Sequence, residues 1–84
     1  MTRVAVIGAG YWGANLIRVF AELGALAAVC DSDKERLAPL AATYPSMTCT
    51  TRPLDVFSDA AIDGVVIATP AATHHRLARE ALLA

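Results

Sequence analysis

Gly8, Gly10 and Gly13 stand at the spacing GxGxxG, and Asp31 follows 23 residues after the first of them. Each glycine has a chemical reason to be there. Gly8 permits a tight exit from a strand, Gly10 removes a side chain where a pyrophosphate must approach, and Gly13 lets the next helix lie close to the sheet. N–H groups at that helix start then face phosphate oxygens, so no cation is required. Three glycines alone are weak evidence, because a tight turn with close packing uses them equally well. An apolar run before the motif, a helical pattern after it and an acid at the end of the next apolar run make the pattern point to a dinucleotide.

Asp31 sits where an acid accepts hydrogen bonds from the adenosine ribose hydroxyls. Its charge would repel a 2'-phosphate, which favours NAD and makes NADP the poorer fit. Ser32 joins Asp31 on the cofactor side, and neither Ser32 nor Asp33 supplies an arginine for a phosphate. Arg36 is read as solvated or paired with Asp33. FAD uses the same loop and stays open. Tyr11 and Trp12 either pack over the first helix or shield the pyrophosphate. On the second edge of the cleft, Thr69 offers a hydroxyl and Pro70 fixes the backbone, although a strand stop and helix start need the same residues. His74 and His75 fall in the first turn of the last helix. One of them turns to the cleft, and their adjacency argues against a shared metal.

The elements that hold these residues follow from hydrophobic patterning. Residues 4–7, 26–30 and 64–68 are solid apolar runs without period two, as in parallel strands covered on both faces. Residues 12–23 carry Leu16, Ile17, Phe20 and Leu23 at helical spacing, with Gly24 as the stop. Ser32 and Glu35 have the spacing of a capping box. The helix they open turns Leu37, Leu40 and Ala41 inward, and Pro39 predicts a kink or a short first piece. Residues 47–50 read as a brief strand and 54–61 as one or two helical turns. A last helix begins near Thr73 with Leu77, Ala78, Ala81 and Leu82 on its apolar side. The class is α/β, a Rossmann-like and mostly parallel sheet with helices on both faces. The strand at 64–68 has no later strand to pair with, which reads as a sheet truncated before its later strands: residues 1–84 as part of a dinucleotide-binding domain.

Composition narrows the function classes. The 84 residues are 56% hydrophobic and 18% charged, with a net charge of −1. That excludes a disordered chain and offers no basic surface for nucleic acid or an anionic membrane. No apolar run approaches the roughly 20 residues of a membrane span. Cys30 and Cys49 form no CxxC pair and read as reduced thiols, consistent with a cytoplasmic protein. The basic and then apolar start is better explained by the glycine loop than by a signal peptide.

Gly8 to Gly13, Asp31 and the stretch Thr69-Pro70-Ala71-Ala72-Thr73-His74 resemble the cofactor-binding N-terminal part of the glucose–fructose oxidoreductase/inositol dehydrogenase (Gfo/Idh/MocA-like) family, along essentially the whole chain. The resemblance implies a two-domain, NAD(P)-dependent enzyme acting on a sugar, cyclitol or nucleotide sugar, homo-oligomeric when complete. It assigns Gly8, Gly10 and Gly13 to the pyrophosphate, Asp31 to the adenosine ribose, Thr69 and Pro70 to the nicotinamide-ribose side and His74 to the same cleft. The Gly-Tyr-Trp-Gly loop looks like members that oxidise UDP-N-acetylhexosamines or their uronic acids. The family's catalytic lysine, in a Glu-Lys-Pro motif, and its substrate domain come after the last helix. No catalytic residue is therefore assigned within residues 1–84, which alone are expected to show no turnover. A non-catalytic NAD-sensing module is the alternative.

Overall fold

A computed structural model describes residues 2–69 and 71–83, with the backbone alone for residues 11, 12 and 71–75. Eight elements alternate along the chain. They are β1 (Val4–Ile7), α1 (Tyr11–Glu22), β2 (Leu26–Cys30), α2 (Lys34–Thr43), β3 (Thr48–Thr50), α3 (Pro53–Phe57), β4 (Gly64–Ile67) and α4 (Ala71–Leu83). The four strands pair in parallel in the order β3-β2-β1-β4. The first three strands step outward in one direction, and the chain then returns to the other side of β1 for the fourth. That reversal between β1 and β4 is where an open α/β sheet forms a crevice.

The apolar runs are covered on both faces, as their lack of alternation requires. Ala5, Ile7, Ala28 and Cys30 face one side with Val56 of α3 and Leu77 of α4. Val6 and Val29 face the other with Ile17 of α1, Leu37 of α2 and Met47. Val6, Val29 and Ile17 have no exposed surface. Each such side chain contributes about 1.5–3 kcal/mol relative to leaving it in water. Cys30 and Cys49 belong to opposite faces. Both are free thiols.

Register levels the strand ends. Ile7 lies opposite both Cys30 and Ile67, and Cys30 lies opposite Thr50. The ladder continues past the strands: the Gly8 N–H donates to the Cys30 carbonyl (2.7 Å), Asp31 N–H to Thr50 (3.1 Å) and Ala68 N–H to Ile7 (2.8 Å). Gly8, Asp31, Thr51 and Ala68 therefore leave the sheet along one rim. At the opposite end the β1–β2 pairing shifts between Val4 and Ala5, so that Ala27 is passed over.

Several expectations from the sequence need correction. Ser32 does not cap α2; Asp33 does, its carboxylate accepting the Glu35 N–H at 2.9 Å. Pro39 does not divide that helix, which runs unbroken from Lys34 to Thr43. Leu23 and Leu82 are 70% and 88% exposed, because each lies at a helix end beyond the sheet it would cover, and Ala41 is exposed too. The last helix begins at Ala71 and the short helix spans only Pro53–Phe57. The strand at 64–67 is half-buried rather than buried, for it occupies a sheet edge. Gly24, by contrast, ends α1 as expected, with φ +72° and its N–H on the Ala21 carbonyl. Among the described residues no helix is long and apolar enough to cross a membrane.

Candidate functional site

At the leveled rim lies a cleft of about 780 Å³, within the range of small-molecule and cofactor sites. Its lining brings together Gly8, Gly10, Asp31, Ser32 and Thr69 from three separate stretches of chain. The sequence placed all five on the cofactor side. Gly13 lies behind the loop, buried where α1 meets Gly8. Pro70 lies outside the described residues, as do the side chains of Tyr11, Trp12 and His74.

The three glycines answer to different constraints. Gly8 has φ +103°, and a Cβ there would stand 2.8 Å from the Ala68 carbonyl oxygen and 3.1 Å from Thr69 Cγ2. A Cβ on Gly13 would overlap the Gly8 carbonyl oxygen. Both positions are thus dictated by the fold itself. Gly10 is not. Its φ and ψ of −72° and −163° suit any residue. Among the described residues a Cβ there would meet only Arg36 Nη1, at an ordinary 3.7 Å. Packing among those residues does not require a glycine at Gly10, and the space its missing side chain leaves opens into the cleft.

Gly10 is also the N-cap of α1 and has no side chain with which to cap it. The first helical bond runs from the Ala14 N–H to the Gly10 carbonyl at 2.8 Å. The N–H groups of Tyr11, Trp12 and Gly13 precede it and have no carbonyl one turn back. No acid occupies the first turn of α1, so the positive end of the helix is left for an external anion.

Asp31 is 7% exposed. Its Oδ2 accepts the Ala9 N–H at 2.7 Å and its Oδ1 accepts the Asp33 N–H at 2.8 Å. These bonds tie the end of β2 to the glycine loop and orient the carboxylate. An ionised carboxylate has about four acceptor positions, so capacity remains for two hydroxyls. Arg36 is half-exposed and pairs with Asp33 at 3.9 Å, as expected, and its guanidinium also lies 3.6 Å from Asp31. With Asp33 as cap, Arg36 is the third helical residue, and its side chain leans toward the helix start and hence toward Asp31.

On the other edge, the Thr69 Oγ1 is buried without a hydrogen-bond partner among the described residues, a costly state for a hydroxyl unless a ligand completes it. Thr51, Pro53 and Arg76 also line the cleft and had no signal in local spacing. Cys30 lies on the floor, where burial, aided by the charges of Asp31 and Asp55, pushes its thiol up from 9.0 to about 11. It stays protonated and does not serve as a nucleophile at neutral pH. Among the described residues no group of three or more His, Cys, Asp or Glu is gathered to hold a metal ion.

The profile of an oxidoreductase family with an NAD-binding Rossmann fold matches residues 2–84. Among curated proteins, the inositol 2-dehydrogenase of Mycolicibacterium gilvum is 39% identical over 75 residues, 86% of this chain and 22% of that protein. Among solved structures, GenD2 from gentamicin A biosynthesis, in complex with NAD, superposes with TM-score 0.86 at 30% identity. It covers 99% of this chain and 25% of its own. The UDP-N-acetylglucosamine 3-dehydrogenase GnnA of Acidithiobacillus ferrooxidans superposes with TM-score 0.84 at 31% identity, over 96% of this chain and 25% of its own. The chain thus spans about a quarter or less of the length of each.

Proposed function

We propose, from the premise that this chain belongs to the Gfo/Idh/MocA oxidoreductase family and carries its NAD-binding Rossmann fold, that the cleft described above is the cofactor site of an enzyme moving a hydride between a hydroxyl-bearing carbon and nicotinamide. NAD is the cofactor of this fold. In the proposed arrangement its diphosphate lies over Gly10 at the start of α1, Asp31 and Ser32 hold the adenosine ribose, and Thr69 donates its hydroxyl on the nicotinamide side. Tyr11, Trp12, Pro70 and His74 belong to the same proposal on sequence grounds. The single observation that carries it is Gly10: a glycine that neither backbone conformation nor packing among the described residues explains, opening into a cleft beside unspent helix N–H groups.

When bound, NAD supplies the hydride acceptor. The chain's own part is to fix and orient it. The fold-imposed glycines Gly8 and Gly13 bring α1 down onto the rim, the Asp31 carboxylate is locked by two backbone N–H groups, and Thr69 is held against Gly8. Gripping the remote adenosine end in this way positions the reacting ring, which is how binding energy is turned into orientation.

The substrate class we infer is a sugar, cyclitol or nucleotide sugar. The relatives named above act on inositol and on UDP-N-acetylglucosamine, by their names. The Gly-Tyr-Trp-Gly loop favours the nucleotide sugars or their uronic acids within that class. Residues 1–84 form the cofactor-binding part, and the substrate and the acid–base group are held by a further part of the protein. The test is reduction of NAD, followed at 340 nm, by the whole protein with inositols, free sugars and UDP-N-acetylhexosamines. Calorimetric NAD binding is measured alongside. Turnover with one of these classes supports the reading. Tight NAD binding without turnover on any of them overturns the substrate class and favours an NAD-sensing module, and absence of NAD binding overturns the site.

A further inference from the structure

The part of the cleft wall made by Thr51 and Pro53 belongs to the turn between β3 and α3. Neither element beside that turn is secure by itself. β3 is a three-residue strand at the sheet edge. Its last rung is the Asp31 N–H donating to the Thr50 carbonyl at 3.1 Å, the longest of the three bonds along the rim. Short edge pairing of this kind opens readily. α3 has five residues, and its N-cap, Arg52, makes no side-chain cap among the described residues.

Two side chains close this gap. The Thr50 hydroxyl accepts the Arg52 N–H at 3.1 Å and donates to Asp55 Oδ2 at 2.7 Å. Asp55 is the third residue of α3, the place from which an acid in a capping box reaches back to the cap N–H. Here the reach is relayed: the carboxylate holds the hydroxyl, and the hydroxyl holds the N–H. α3 is in turn fixed by Val56, 2% exposed in the layer with Cys30 and Leu77. A continuous line therefore runs from the core through α3, Asp55 and Thr50 to the main chain of Asp31. Ala9 and Asp33 orient the Asp31 carboxylate, while the Thr50 carbonyl holds the backbone from which it projects. Asp55 is exposed and Thr50 half-buried, so the pair adds little to the apolar core.

We propose that Thr50 and Asp55 are positioning residues for the cleft. Their bond fixes the wall at Thr51 and Pro53 and, through the Thr50 carbonyl, the main chain of Asp31. Neither of the two lines the cleft, so both act through those neighbours. This rests on the reading of the cleft as the cofactor site. A bond open to water contributes modestly, so its loss loosens the wall without unfolding the sheet.

The test is calorimetric binding of NAD to the whole protein and to its Thr50→Val, Asp55→Ala and doubly substituted forms. Thr50→Ser, which keeps the hydroxyl, and Asp55→Asn, which keeps an acceptor, are the conservative variants. The valine and alanine forms each weaken NAD about 3- to 10-fold. The double form is about as weak as either, and the conservative variants keep most of the affinity. Hydrogen exchange at Asp31 and Arg52 quickens in the Asp55→Ala form while Val4–Ile7 keep their protection. Unchanged affinity, additive losses, or conservative variants as weak as the valine and alanine forms overturn the proposal. So does a loss of protection that spreads to β1, which marks a purely structural role. Should Thr50→Val fail to fold, Asp55→Ala against Asp55→Asn decides it, and equal affinities overturn it. If the unsubstituted protein binds no NAD, the cofactor reading fails and this proposal with it. If it binds NAD and the coupling between Thr50 and Asp55 is absent, only this proposal fails.

Discussion

Replacing Gly10 by alanine separates folding from binding at a single methyl group. The backbone at this position is extended, with φ −72° and ψ −163°, and among the described residues the new Cβ meets only the tip of Arg36 at 3.7 Å. An alanine N-cap costs about 0.5 kcal/mol relative to glycine. The stiffer unfolded chain returns about 0.4–1 kcal/mol. The net change in stability is therefore within about 0.5 kcal/mol of zero. In the cleft the same methyl occupies space proposed for the diphosphate. Overfilling a close contact costs about 1–3 kcal/mol, which weakens NAD about 5- to 150-fold. Gly13→Ala gives the contrast, since its Cβ overlaps the Gly8 carbonyl and the fold itself must shift, at about 3 kcal/mol or more. Denaturant titration and NAD calorimetry on the whole protein measure both quantities. Unchanged NAD affinity in the Gly10→Ala form refutes the placement of the diphosphate. A loss of stability as large as the loss of binding refutes the claim that packing leaves this position free.

Asp33→Ala removes the carboxylate that caps α2 and lowers stability by about 1 kcal/mol, whereas Ser32→Ala leaves stability unchanged; denaturation midpoints distinguish the two. Thr69→Val deletes a buried hydroxyl with no partner among the described residues. Without cofactor the protein is as stable or slightly more so, and it loses about 0.5–1.5 kcal/mol of NAD binding, read by melting with and without NAD. Burial raises both thiols, Cys30 to about 11. The raised Cys30 value contributes stability that is fully present below pH 9 and lost as pH rises through about 11. A Cys30→Ala form, once corrected for its lost packing, shows a flatter decline of stability over that interval. Alkylation at pH 8 labels the half-buried Cys49 well before Cys30, as mass mapping checks.

The parts of the fold legible in the sequence were those written in short-range patterns. Three solid apolar runs predicted strands covered on both faces, and residues 4–7 and 27–30 are buried as such. Residues 64–67 were the exception, because burial at an edge depends on a neighbour and not on the run itself. Gly24 announced its helix stop through the one conformation it alone adopts readily. The glycine loop and Asp31 were legible as a set, and the structure gathers them at one cleft. What escaped was decided by competition or distance. Ser32 and Asp33 are both good caps, and only the tie from Asp31 to the Asp33 N–H selects between them. The added contact of Arg36 with Asp31, beside the expected one with Asp33, likewise depends on how the end of β2 meets α2. Thr51, Pro53 and Arg76 reach the cleft through strand order and register, which no local spacing encodes.

The stagger between Val4 and Ala5 has a consequence for how this sheet tolerates change. One residue of slack is absorbed at the end remote from the cleft, while above it the strands stay in step to Ile7, Cys30 and Ile67. Length variation near Leu26–Ala27 can therefore be taken up where it does no harm. The same single-residue insertion after Val29 would turn Cys30, the last residue of that strand, to the wrong layer and carry the acid off the rim. The sheet thus has an adjustable foot and an inflexible lip, and drift in its loops is expected to accumulate at the foot.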